Sequence, residues 1–133
     1  MTAKHYVDRE HRVIITTWDG HVSDQDLIAA LSSYLQEYRC DSEYHNYDEL
    51  LDFSHAAEIN LTTKGIIELS KLSHQSDVEG VQTRLAIIAT SPLTFGLARM
   101  YVAYRNLLSS SKIMKVVKTK DDAFTWLRTP VES

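Results

Sequence analysis

Residues 84–90 read RLAIIAT, and no other stretch limits the possible folds so strongly. The apolar centre is unbroken, so alternation offers no wet face, yet the run is far shorter than the ~20 residues a membrane helix needs. A short apolar run of this kind is a strand covered on both faces, as in a sheet with helices on either side. Ser91 and Pro92 follow at once. Proline suits the first position of a helix, because the amide hydrogen it lacks would be unpaired there anyway. The segment therefore predicts the central strand of an α/β sheet, running into a helix over 92–108.

The rest of the chain alternates in the same way. Residues 12–18 (RVIITTW) are rich in β-branched side chains, and Asp19-Gly20 behind them marks a turn. Residues 5–9 alternate more weakly and lie close enough to form an antiparallel edge strand with them. Over 23–39 the spacing turns helical, with Leu27, Ile28, Leu31 and Leu35 on one side. Ser23 followed by Asp26 predicts a capping box at its start. A polar loop over 40–46 leads to a strand over 47–53 (YDELLDF), and capping residues at 60–63 precede a helix carrying Ile66, Leu69 and Leu72. Residues 112–118 (KIMKVVK) predict a last strand whose lysines suit an exposed edge. Thr119 and Asp122 then cap a short helix with Ala123, Phe124, Trp126 and Leu127.

The order is ββαβαβαβα. Strands separated by helices need crossover connections, which are right-handed in nearly all cases. The expected fold class is α/β, a four-to-five-stranded mixed, mainly parallel sheet with four helices. At 133 residues, 44% hydrophobic and 24% charged, the chain suits one domain over 1–133 with a real core.

Composition also removes some functions. With 14 Lys+Arg against 18 Asp+Glu the net charge is −4, which argues against a nucleic-acid partner. No apolar run is long enough for a transmembrane segment, and the first residues (MTAKHYVDRE) are too polar for a secretory signal. The lone Cys40 cannot form an intrachain disulfide and lies where a helix C-terminus opposes ionisation. The expected compartment is the cytoplasm. The histidines at 5, 11, 21, 45, 55 and 74 never fall at i, i+2 or i, i+4, so no metal site is expected. Gly20, Gly65, Gly80 and Gly96 never cluster into a phosphate-cradling loop, so no nucleotide cofactor is expected.

Several residues carry a family likeness. Gly20, His21, Val22 and Ser23 open the first helix; Leu51, Asp52, Phe53 and Ser54 end a strand; and a capped helix follows. Together with the Leu97, Ala98, Arg99, Met100, Tyr101 run and the final segment from Asp121 to Leu127, this succession resembles the STAS domains. Their type is the SpoIIAA-like fold of bacterial anti-sigma-factor antagonists, and the likeness is to stand-alone members of that group. The resemblance implies a non-catalytic regulatory or binding domain. In phosphorylated antagonists the corresponding loop carries Asp-Ser-Ser-Gly with a target serine, whereas residues 58–65 here read EINLTTKG. Thr62 and Thr63 are the remaining candidate phosphoacceptors, against the simpler role of capping.

Asp52, Ser54 and His55 sit at the carboxyl end of a strand, where open α/β sheets place ligands. They are too close in sequence to align as nucleophile, base and orienter, and no Gly-x-Ser-x-Gly elbow is present. The 92–108 helix carries more apolar surface than one buried side needs. Tyr101, Tyr104 and Met100 are candidates to meet a second subunit or a small apolar ligand, with Arg99 and Arg105 placed to hold an anionic group. Three functions are ranked on this basis. Docking to another protein or a second copy comes first, and carriage of a small hydrophobic or lipid-like ligand between the 92–108 helix and the sheet comes second. Catalysis near Asp52 and His55 comes third.

Overall fold

The sheet begins with an antiparallel hairpin. β1 (Ala3–Asp8) and β2 (Val13–Trp18) pair in register from Ala3 opposite Trp18 to Asp8 opposite Val13. At the turn Arg12 holds a left-handed backbone, φ 56°, a conformation that costs a side-chain-bearing residue about 1 kcal/mol. Asp8 steadies the turn by accepting the His11 amide at 3.0 Å. The computed structural model describes residues 3–39, 41–75, 77, 80–108 and 112–129. Cys40 and Pro130 lie outside them.

After Gly20, whose φ of +70° favours glycine, the chain forms β3 (Gly20–Ser23) and α1 (Asp24–Tyr34). Ser23 and Asp26 make the expected capping box: the Ser23 amide donates to Asp26 at 2.9 Å and the Asp26 amide to Ser23 Oγ at 3.3 Å. The helix continues as a π turn over Leu35–Arg39, and a single 3-10 turn at Ser42–Tyr44 leads to β4 (Asp48–Asp52). Then come β5 (Ala56–Asn60), α2 (Thr63–His74), β6 (Thr83–Ile88), α3 (Pro92–Leu107), β7 (Lys112–Val117) and α4 (Lys120–Arg128). Thr62, Ser91 and Thr119 cap α2, α3 and α4 with their side chains.

The main sheet has five strands in the order β1-β2-β4-β6-β7, antiparallel only at β1. The α/β class and the mixed, mainly parallel sheet are as expected. Two details differ. The middle strand is β4, with β6 one place in from the edge strand β7; all six β6 residues are buried because helices cover both faces, which does not require the centre. The second difference is a small parallel sheet of β3 and β5. β3 is four residues long and fixed by one fully buried side chain, Val22, too little for a sequence pattern to reveal.

Strand alternation divides the core. Val13, Ile15, Leu50, Ala86, Ile88 and Val117 pack under Ala123 of α4 and its Phe124, Trp126 and Leu127. The opposite face meets α1, α2 and α3.

Candidate functional site

The face under α1, α2 and α3 is not filled. Ile14, Thr16 and Trp18 of β2 stand beside Glu49 and Leu51 of β4, with Phe53 just beyond, and Leu85 and Ile87 of β6 follow. Across from them, Leu27 and Ala30 of α1, Leu69 of α2 and Ala98 of α3 close a cavity of about 100 Å³. One end is apolar. There Trp18 stacks on Phe53, with centroids 4.4 Å apart and planes 11° from parallel.

The other end gathers charge. Glu49, Lys112 and Arg105 line the cavity and are 7%, 6% and 1% exposed. Lys112 Nζ pairs with Glu49 Oε1, which also accepts the Tyr34 hydroxyl at 2.5 Å. Arg105 forks onto Asp77, with Nη2 to Oδ1 at 2.7 Å and Nη1 to Oδ2 at 3.3 Å. Tyr101 donates its hydroxyl to Ser73 Oγ at 2.7 Å. Burial pushes the Tyr101 phenol above its ordinary value, and the Arg105 guanidinium opposes this. His5 shares a 2.8 Å hydrogen bond with Thr16, and burial lowers its ring pKa, with Glu37 opposing the shift. Among the described residues, two buried side-chain polar atoms have no hydrogen-bond partner: Trp18 Nε1 and Arg105 Nε. Both residues line this cavity.

The sequence candidates divide between places. Of the α3 group, Tyr101 and Arg105 face the cavity, Met100 and Tyr104 are half-buried, and Arg99 is exposed. Asp52 alternates with Glu49 and Leu51 onto the α4 side of β4, where its Oδ1 accepts the Ser54 amide at 2.9 Å. Ser54 and His55 are exposed, and the His55 carbonyl accepts the Gly20 amide at 3.3 Å. Thr62 is engaged as the α2 cap: its Oγ accepts the Gly65 amide at 3.0 Å and donates to Asp24 at 2.6 Å. The Asp24 carboxylate already occupies this helix end, and a phosphate on Thr62 would meet it as a like charge. Thr63 follows in the first turn, exposed.

Sequence reasoning missed Trp18, Tyr34, Glu49, Ser73 and Lys112. The signal for Glu49 lies in the strand alternation itself, which puts it on the same side as Leu51 and Phe53. Lys112 corrects the expectation of an edge lysine facing water. Lys115 and Lys118 are exposed, whereas Lys112 turns inward to Glu49. Among the described residues no group of three or more His, Cys, Asp or Glu side chains is placed to hold a metal, and no helix is long and apolar enough to cross a membrane.

No protein-family model matches the chain, and no curated protein matches it. Among solved structures it is similar to an uncharacterized protein of the DUF3478 family from Shewanella loihica PV-4, described as having a SpoIIAA-like fold. The two are 20% identical, the match covers 94% of this chain and 91% of that one, and the TM-score is 0.55. At that identity the likeness speaks for architecture, and it agrees with the strand order and helix placement found here: the chain has a SpoIIAA-like fold.

Proposed function

We propose that this chain binds a small, mainly apolar molecule in the cavity between α1, α2, α3 and the sheet. The observation that carries the reading is the cavity itself, about 100 Å³ with buried charged groups at one end. A domain of this size gains most from filling such a space, since each methyl-sized void costs about 1 kcal/mol. Buried ion pairs are likewise weak contributors to stability. An empty space and internal charge together make a ligand site a better account than a packing solution.

Docking through the flank of α3 has less support. Tyr101 and Arg105 are turned inward, and the large apolar side chains left exposed among the described residues are Tyr6, Leu93 and Leu107. Leu93 and Leu107 stand at opposite ends of α3, about 21 Å apart at 1.5 Å per residue, so they do not make one patch.

Native mass spectrometry of gently purified protein, with a thermal-shift panel of apolar compounds of about six heavy atoms, tests the reading. Bound mass or stabilisation is expected, and should be lost in Ala98→Leu or Ala30→Leu, each of which adds a side chain to the cavity lining. An apo spectrum with no shift across the panel overturns the proposal.

A further inference from the structure

The two edges of the main sheet differ in charge. β7 presents an exposed Lys115, with Lys118 exposed just past its end and no acidic residue along it. Lysines on an edge are a common guard against strand addition. β1 reads AKHYVD and carries both signs. Among the described residues its one strand neighbour is β2, so the hydrogen-bonding groups along its outer side have no strand to meet.

Strand alternation puts Lys4, Tyr6 and Asp8 on one face of β1. They stand opposite Thr17, Ile15 and Val13 of β2, on the side where Val13 and Ile15 join the core under α4. The helix itself packs over β4, β6 and β7. At the β1 end of this face Lys4 is exposed and Tyr6 is 64% exposed. Asp8 accepts the His11 amide at 3.0 Å and shares a 2.8 Å hydrogen bond with the His11 ring. The amide bond holds its carboxyl below the ordinary value, so it is charged at neutral pH. A carboxylate so engaged still has lone pairs for a further donor.

These residues are complementary to themselves. Bonded and non-bonded pairs alternate along an antiparallel ladder, so a two-fold axis between two identical strands must fall on a residue. With the axis at Tyr6, Lys4 of each strand lies opposite Asp8 of the other, and the two Tyr6 rings meet at the centre. Moving the axis to His5 or Val7 takes Lys4 away from Asp8. Opposite charges and aromatic pairs directly across a ladder are both favourable.

We propose that β1 is a docking edge for a second copy of this chain, the two strands pairing antiparallel about a two-fold axis at Tyr6 so that Lys4 of each copy meets the partner's Asp8. Such a contact is isologous and uses each β1 edge once, so it closes at a dimer. The lysines of β7 keep the opposite edge from extending it. The dimer is weak, because a strand of six residues falls far short of the roughly 20–30 residues a side in a standard interface. The inference is independent of the cavity, which lies on the other face of the sheet.

Sedimentation velocity from about 10 µM to about 1 mM tests it, with amide hydrogen exchange at both ends of the range. The wild-type chain should pass from monomer to dimer, and amides of β1 should gain protection as it does. Lys4→Glu turns two attractive pairs repulsive and should weaken association about tenfold. Lys115→Glu makes the same change in net charge on the other edge and should stay within twofold of wild type. Asp8→Lys alone should also be a monomer, yet an equimolar mixture of Lys4→Glu and Asp8→Lys should dimerise, since every cross-strand pair is then of opposite sign. If Asp8→Lys fails to fold by circular dichroism, the comparison of Lys4→Glu with Lys115→Glu decides the case. The proposal is overturned by a wild-type chain that stays monomeric throughout, by equal effects of Lys4→Glu and Lys115→Glu, by a dimer whose β1 amides gain no protection, or by two folded variants that do not pair when mixed.

Discussion

The two faces of the sheet bury the same kinds of residue to different ends. Under α4, Arg84 donates its amide to Asp48 at 2.9 Å and its Nη1 to the Trp126 carbonyl at 2.6 Å, with the guanidinium 5.5 Å from the Trp126 ring centroid. Each of these groups ties one element to another at the rim of an apolar core. Under α1, α2 and α3, Glu49, Lys112 and Arg105 instead converge on open space, and one of their donors is left over. Backbone-directed polar contacts hold a fold together; side-chain pairs around a void hold a chemical environment in place. The proposed function rests on this difference, which sets the cavity face apart from the α4 face.

The largest effect should come from splitting the pair inside the cavity. Lys112→Met takes the Lys112 cation away from the buried Glu49 carboxylate, and removing one partner of a buried pair costs about 3–5 kcal/mol. Urea unfolding followed by circular dichroism measures it. Adding Glu49→Gln removes the second charge while keeping an oxygen for the Tyr34 hydroxyl. The double variant should recover at least half of the loss, because the ion pair itself adds little net stability. A double variant no better than the single one would mean that the pair is structural and that the two faces do not differ in this respect.

On the α4 side, Arg84→Met removes one charged hydrogen bond to a backbone carbonyl and should cost about 1.5–3 kcal/mol. Binding of a small apolar compound in the cavity should stay within twofold of wild type, since Arg84 lies on the other side of the sheet. Equal loss of binding in Arg84→Met and Ala98→Leu would show that both act only through global stability.

The α4 face was the more legible from sequence because its signals are local. The RLAIIAT run, the Thr119 cap of α4 and the Phe124, Trp126, Leu127 stripe each declare themselves within a few residues. The cavity face is made by partners far apart in the chain. Glu49 and Lys112 are separated by 63 residues, and Arg105 and Asp77 by 28. A lysine at the start of an edge strand carries the same sequence signal whether it faces water or a distant glutamate, so only tertiary pairing decides its direction. Tyr101 and Arg105 were visible as members of an over-apolar helix; which way the surplus turned was set by the position of α2 against α3.

The smallest expected effect concerns Asp48, whose carboxyl has no bonded cation like that of Glu49. Burial raises its pKa above the ordinary 3.8, and the Arg84 amide and charge offset only part of this. A carboxyl whose pKa is higher in the folded than in the unfolded chain takes up its proton more readily when folded, so acidification favours the fold. The penalty Asp48 imposes is fully present above its raised value, shrinks as the pH falls through that value, and is gone below 3.8. Asp48→Asn keeps an oxygen for the Arg84 amide and cannot ionise. Its advantage over wild type in urea unfolding should be greatest near pH 7 and decline steadily toward pH 3. A difference that stays constant, or grows on acidification, would show that the Arg84 contacts outweigh burial and that this face, too, holds a fully compensated charge.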